Sequence, residues 1–248
     1  MENSFYAGTS GLVLPIPQRD FEPQFKQLTR LAYYGRLLNS IEINSSFYKL
    51  PMQVTVAKWT ASVPDNFKFT FKLWRQVTHQ RNLNFTDADV DSFMKVIANA
   101  SGREGCILIQ LPPSTDVSCK AKLFDLVGLI KGYNSDGRWK IAVEFRHKSW
   151  YSDTVVDMLS KSDAGMVIHD MPASAAPHQL TAESFVYLRF HGPAGDYKGS
   201  YSDDFLNEYA EYINEWRDDG KQVFVYFNNT VGDAWNNLIT LQRYVAAR

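Results

Sequence analysis

The stretch Trp139-Lys-Ile-Ala-Val-Glu-Phe-Arg-His-Lys-Ser-Trp150 decides the fold. Ile141, Val143 and Phe145 share one face of a strand, and Ala142, Glu144 and Arg146 share the other. Successive side chains of an extended chain point to opposite sides, so strict alternation marks a strand between two different environments. The second face runs from small to acidic to basic, with its charges at the C-terminal end.

The same layout recurs on both sides of this stretch. Towards the N terminus, Cys106 to Leu111 is a nearly continuous apolar run with Gln110 near its end, stopped by Pro112 and Pro113. Phe67, Phe69 and Phe71 lie opposite Lys68, Thr70 and Lys72; Ile41 and Ile43 lie opposite Glu42 and Asn44. Phe5 to Gly11 reads as a short strand entering a glycine-bounded turn. Towards the C terminus, Gly165 to Asp170 is a sixth strand. In the seventh, Tyr187, Arg189 and His191 lie opposite Val186, Leu188 and Phe190, and Gln222 to Asn228 is the last.

Helical patterns separate these strands: 25–34, 53–63 (ended by Pro64), 87–100, 120–131, 152–161, 203–218 and 234–246. Thr86 followed by Asp89 resembles a capping box, and Ser152 is placed to cap its helix. Met171 to Thr181 carries two prolines and no helical period, which predicts an irregular crossover between strands six and seven. Strands spaced by helices pair in parallel through right-handed crossovers. Eight such units in about 250 residues make a single α/β domain over 1–248, a (β/α)8 TIM barrel. A doubly wound open sheet is the main rival, and it too would put its ligand at the C-terminal strand ends.

Composition narrows the function. Lys plus Arg number 26 and Asp plus Glu 27, a formal net charge of −1, whereas a general polyanion binder is more typically strongly basic. Hydrophobic residues at 45% suffice for a buried core. Cys106 and Cys119 are too sparse for a disulfide framework and suit a reducing compartment. The first residues lack the basic and apolar regions of a signal peptide, and no apolar run reaches membrane-spanning length. The expectation is a cytoplasmic protein with no membrane partner.

Buried parallel strands should read as unbroken apolar runs, and these do not. If the β-branched and aromatic faces pack on helices, the polar faces point into the barrel. The inward set is then Glu42, Asn44, Lys72, Gln110, Glu144, Arg146, Arg189, His191 and Asn228, all towards the C-terminal ends where barrel enzymes place their chemistry. The bland alternative is a self-neutralising ion-pair plug; against it, an interior of Val, Leu and Ile would be at least as stable. The slight positive excess favours a small anionic ligand held bidentately by arginine, or a carbohydrate-like one.

Roles follow from residue type. Glu144 and Glu42, from strands three apart, could serve as base and acid. A separation of about 5 to 10 Å would permit glycoside chemistry. His191 is a further acid/base candidate, or a histidine that only hydrogen-bonds the rim. Lys72 is an anion contact or, if desolvated, a Schiff-base nucleophile, with contact the favoured reading. No cofactor is expected. A metal site could be built from Glu42, Glu144, His169, Asp170 and His191, but three nearby cationic side chains oppose a dication. Phe47, Tyr48, Trp74, Trp150, Tyr151, Tyr197 and Tyr201 follow strand ends and could stack on a sugar or base, or only roof the barrel. The loops after strands seven and eight, 192–199 and 228–233, stand where many barrels bind phosphate. No P-loop, dinucleotide fingerprint, nucleophile elbow or zinc motif is present.

Several of these segments together resemble the DUF72 (YecE-like) family: Gly8-Thr-Ser-Gly11, Glu42-Ile-Asn-Ser-Ser-Phe-Tyr48, Phe69 to Lys72 with Thr78-His79, and Gln110-Leu-Pro-Pro113. So do Glu144-Phe-Arg-His-Lys-Ser-Trp150, Tyr187-Leu-Arg-Phe-His-Gly192 with Tyr197 and Tyr201, and Tyr226-Phe-Asn-Asn229. The resemblance implies a TIM-barrel fold and supports the inward set, but says little about the reaction. The chain departs from the family pattern after strand six, where His169-Asp-Met-Pro172 precedes an Ala/Ser-rich link. The expectation is therefore an enzyme, a hydrolase, lyase or isomerase, acting by acid/base chemistry on a small anionic, phosphorylated or carbohydrate-like substrate. Glu144, Glu42 and His191 would be catalytic, with Arg146, Arg189, Lys72, Asn44, Gln110, Asn228, Trp74, Tyr48, Trp150, Tyr197 and Tyr201 binding. The alternatives are a nucleic-acid-binding or nuclease-like protein, with Arg75 and Arg81 on phosphates, and a non-catalytic ligand sensor.

Overall fold

In the computed structural model, residues 4–176 and 184–247 are described. Eight strands run parallel around a barrel: β1 Phe5–Thr9, β2 Ser40–Ile43, β3 Lys68–Lys72, β4 Glu104–Gln110, β5 Lys140–Glu144, β6 Ala164–His169, β7 Phe185–Phe190 and β8 Gln222–Phe227. Neighbours pair in chain order from β2 to β8, and β1 returns to β8. The helices are α1 Arg30–Leu37, α2 Ser45–Tyr48, α3 Gln53–Ser62, α4 Arg75–Thr78, α5 Asp87–Ile97, α6 Lys120–Tyr133, α7 Asp153–Lys161, α8 Asp203–Asp218 and α9 Ala234–Ala246.

The period of two in the sequence sorts the core into two layers. Residues such as Ile41, Phe69, Phe71, Ile107, Ile141, Val143, Val186 and Val225 face the helices in one large cluster. Tyr6, Cys106, Leu108, Ala142, Val167, Phe185, Tyr187, Phe224 and Tyr226 fill the barrel itself. Each side chain alternates between the two, so each strand is buried on both faces without a continuous apolar run.

The barrel closes between β1 and β2 by an unusual seam. The backbone contributes little beyond the Ser10–Glu42 bridge and the Gly11 N–H donating to the Glu42 carbonyl at 2.8 Å. Side chains supply the rest. The Asn39 amide accepts from the Ala7 N–H at 2.9 Å and donates to the Phe5 carbonyl at 2.8 Å. The Tyr34 hydroxyl accepts from the Thr9 N–H at 2.8 Å and donates to the Ser40 carbonyl at 3.1 Å. Together they satisfy backbone groups that a regular ladder would have paired. Gly8 permits this closeness, because a Cβ there would lie 2.0 Å from the Ser40 carbonyl oxygen.

Local side-chain caps mark three of the α-helix starts among the described residues. At the head of α5 Thr86 accepts from the Asp89 N–H, the first half of the predicted capping box, while the Asp89 carboxylate accepts from the Thr86 hydroxyl instead of its backbone N–H. The helix expected from Phe25 instead begins at Arg30, where Thr29 accepts from the Ala32 N–H; Pro23–Phe25 forms a separate 3-10 turn. Ser152 occupies the N-cap position of α7, but its side chain makes no capping hydrogen bond. Two one-turn helices, α2 and α4, were not expected, and both follow strand ends at the mouth. Between β6 and β7, residues 170–176 contain turns and no helix; the remainder of the predicted irregular crossover, 177–181, lies outside the described residues. No helix among the described residues is long and apolar enough to cross a membrane.

Candidate functional site

The polar faces of the strands meet at the C-terminal pole. Tyr226, inside the barrel, places its hydroxyl 2.6 Å from the Ser40 hydroxyl and 2.7 Å from that of Thr70. Two residues further along β2 and β7, Glu42 and Arg189 follow this hydroxyl layer. Arg189 is 2% exposed and Glu42 and Glu144 are fully buried. Its Nε donates to both Glu42 oxygens at 3.1 and 3.0 Å, and its Nη2 to Glu42 Oε1 at 2.9 Å. Its Nη1 donates to Glu144 Oε2 at 3.1 Å. One guanidinium therefore bridges two carboxylates from separate strands.

Both carboxylates are further occupied. Tyr187 donates to Glu42 at 2.5 Å, and Arg146 donates through Nε to Glu144 at 2.5 Å and forms a second close contact through Nη2. Burial alone would push both carboxyl groups up. The charge and hydrogen bonds of Arg189 outweigh burial at Glu42, and Arg146 with Arg189 outweighs it at Glu144, so both are held below the usual carboxylate range.

His191 lies behind the two arginines. Its Nε2 stands 2.8 Å from Arg146 Nη2 and 2.9 Å from Arg189 Nη1. Since guanidinium groups only donate, Nε2 is the acceptor and the proton sits on Nδ1, 3.2 Å from Asp170 Oδ1. Burial, with the Arg189 charge opposing Asp170, pulls its pKa down to about 4. Asp170 also accepts from the His191 N–H at 2.8 Å and from the Tyr201 hydroxyl. Neutral His191 thus positions the arginines from behind, oriented in turn by Asp170. Sequence reading placed Asp170 only in a hypothetical metal set. Among the described residues, no three His, Cys, Asp or Glu side chains group to hold a metal ion.

Above this network opens a cavity of about 290 Å³, lined by Asn44, Tyr48, Lys72, Gln110, Arg146, Arg189, Tyr197, Asn228, Thr230 and Val231. It brings together eight of the residues singled out from sequence and adds Thr230 and Val231, which alternation could not reveal because they follow the end of β8. Glu42, Glu144 and His191 do not line it. Among the described residues its wall therefore carries three cationic side chains and no carboxylate.

Lys72 differs from the two arginines. Among the described residues no carboxylate comes within ion-pair distance of it, and its Nζ lies 4.2 Å from the centre of the Phe47 ring. Burial, then the Arg189 charge, lowers its pKa to about 8, with Glu144 and Glu42 opposing. The His79 ring also packs against Phe47, edge-on with centroids 4.8 Å apart; burial and the Lys72 charge lower its pKa to about 4.

The aromatics divide sharply. Tyr48 is 69% exposed and Tyr197 41% exposed at the cavity rim. Tyr197 holds a left-handed backbone (φ 67°), a costly conformation for a bulky residue. Its N–H donates to the His191 carbonyl at 2.7 Å and its carbonyl accepts from Val231 at 3.1 Å. Trp150 is fully buried, stacked on Phe145 and donating to the Thr115 carbonyl at 2.8 Å. Tyr201 stacks on Phe205 and accepts from the Gly192 N–H at 2.5 Å. Trp74 packs against the outer core. These three roof the barrel and stand off the cavity lining. The loops after β7 and β8 bind each other: Asp233 N–H and Asn229 Nδ2 both donate to the Gly199 carbonyl, at 3.1 and 3.0 Å.

Comparison with known proteins places the chain among relatives of the same architecture. The model of the family described as "Protein of unknown function DUF72" matches residues 6–248. UPF0759 protein YunF of Bacillus subtilis (strain 168) is 29% identical over 248 residues, covering 88% of this chain and 86% of that protein. The crystal structure of a DUF72 family protein from Enterococcus faecalis V583 superposes with a TM-score of 0.80 at 22% identity, covering 98% of this chain and 95% of the other. That of a DUF72 family protein from Thermotoga maritima MSB8 gives 0.77 at 23% identity, covering 98% and 100%.

Proposed function

The chain belongs to the DUF72 family, whose description assigns no function, so the pocket itself must supply one: we propose that it binds and acts on a small anionic metabolite, a phosphate ester or carboxylate. One observation carries this reading. Lys72, Arg146 and Arg189 face the cavity, while the two carboxylates that balance the arginines lie behind them and off its wall. An incoming anion meets positive charge already fixed in place, and preorganised donors are the strong ones.

Size and shape refine the ligand. About 290 Å³ is at the small end of ligand cavities and suits a molecule such as a sugar phosphate. Tyr48 and Tyr197 offer flat faces to a ring at the rim. Asn44 also lines the cavity, and its Oδ1 is buried with no hydrogen-bond partner among the described residues. In this reading Glu42 and Glu144 fix the arginines instead of trading protons, because their oxygens are already occupied by guanidinium and tyrosyl donors. His191 is likewise a positioning residue.

Calorimetry with inorganic phosphate, glucose 6-phosphate, glucose and a single-stranded oligonucleotide tests the proposal, on wild type and Lys72→Met. Phosphate-bearing ligands should bind and glucose should not, with Lys72→Met weakening them at least about tenfold. Equal binding of glucose and its phosphate would refute it. Oligonucleotide binding with a steep salt dependence would instead favour the nucleic-acid reading, for which the exposed rim tyrosines are the supporting feature.

A further inference from the structure

Among the described residues, Lys72 is the one cavity-lining cation that the network leaves uncommitted. Arg189 and Arg146 are locked to carboxylates and to His191, as described above. Lys72 comes from the end of β3, lines the cavity, lies over the Phe47 ring at 4.2 Å, and has no ion-pair partner among the described residues. An ammonium needed only for charge would gain from a nearby carboxylate. Here the two nearest candidates are taken by guanidinium groups.

We propose that Lys72 is a nucleophile that forms an imine with a carbonyl-bearing anion, an oxo acid or a phosphorylated aldehyde or ketone, whose charged end is held by Arg146 and Arg189. This deepens, and rests on, the anion-binding reading of the same pocket. The neutral Nζ attacks the carbonyl carbon while the C=O pair moves to oxygen. A proton then shifts from nitrogen to that oxygen, giving a carbinolamine. The hydroxyl takes one further proton from solvent at the open mouth and leaves as water while the nitrogen pair forms C=N. One carbonyl, one amine and one proton thus become one iminium and one water. Burial and the neighbouring arginine favour the neutral amine, as nucleophilic lysines require, and the lowered value of about 8 leaves an appreciable neutral fraction near neutral pH.

The test is reductive trapping on the whole chain. The protein is incubated with glycolaldehyde phosphate or pyruvate and sodium cyanoborohydride, and the modified lysines are mapped by mass spectrometry. Lys72 should be labelled at least about tenfold faster than Lys68 on the same strand, inorganic phosphate should suppress this, and labelling should rise as the pH passes about 8. Lys72→Arg should still bind inorganic phosphate but give no adduct above background. Phosphate binding with no preferential adduct at Lys72 overturns the imine and leaves the anion site standing. Absence of phosphate binding overturns the underlying reading, and labelling of Lys72 that phosphate does not suppress overturns the role given to the arginines.

Discussion

Arg189 on β7 and Glu42 on β2 meet across the barrel through three N–H···O contacts of 2.9 to 3.1 Å, both side chains almost wholly shut off from water. A buried pair of this kind contributes less by its presence than it costs when broken. Glu42→Gln leaves the guanidinium with Glu144 alone, and the unfolding free energy should fall by about 3 kcal/mol. Urea denaturation measures this; a change within about 0.5 kcal/mol, typical of a surface substitution, would show that the pair does not hold the site.

Acid should weaken the fold by a route the histidine identifies. Its folded pKa of about 4 lies below its ordinary 6.5, so between those values the unfolded chain binds a proton that the folded one refuses. Stability contributed by neutral His191 is complete above about pH 6.5 and declines as the pH falls towards 4. Glu42 and Glu144, with depressed pKa values, act in the same direction but further down: their contribution is present above about 4.5 and is lost as acid protonates the folded carboxylates. Between pH 7 and 5 the histidine alone should account for about 2 kcal/mol. His191→Gln should flatten that part of the stability profile, and a variant profile parallel to wild type would refute the assignment.

Anion affinity should fall with rising pH. Lys72 carries its charge below about pH 8 and loses it above, so inorganic phosphate should bind more weakly at pH 9 than at pH 7. Lys72→Arg should remove most of that loss, since arginine stays charged. Calorimetry at the two pH values decides it, after allowance for the phosphate's own ionisation.

Tyr197 sits in a left-handed conformation at the rim. Glycine adopts this backbone without penalty, so Tyr197→Gly should retain or slightly raise thermal stability while weakening a ring-bearing phosphate more than inorganic phosphate. Equal weakening of both ligands would mean that the ring makes no contact.

Asn39→Ala removes both side-chain bonds at the β1–β2 seam. It should destabilise by about 1 to 3 kcal/mol and speed hydrogen exchange at the Ala7 amide, whose acceptor is lost. Unchanged exchange there would assign the closure to other contacts.

Much of this was legible in the sequence. A period of two in most of the strands, with polar residues at their C-terminal ends, indicates which side chains enter the barrel, so Lys72, Gln110, Arg146, Arg189 and Asn228 could be assigned to one pole. What alternation lacks is reach. It says that Glu42 points inward but not that Arg189 is long enough to span the barrel and donate to both Glu42 and Glu144. It also cannot separate Tyr197, held at the rim by a strained backbone, from Trp150, whose indole N–H is committed to a carbonyl 35 residues earlier. The seam was invisible for a similar reason. Asn39 and Tyr34 stand in for a backbone ladder, and nothing in their local sequence announces it. Asn39 sits before β2, where an asparagine reads as an ordinary turn residue.

The seam has a consequence for the order in which the molecule can be made. β1 is made before the other seven strands, yet its five-position ladder is with β8, the last of the eight, and on its other side it has little more than Asn39 and Tyr34 to hold it. During synthesis the N-terminal strand therefore waits, with an unpaired edge that invites wrong partners, until almost the whole chain has appeared. Loss of β8 would strand it permanently, so deleting the last of the eight strands should unravel the first.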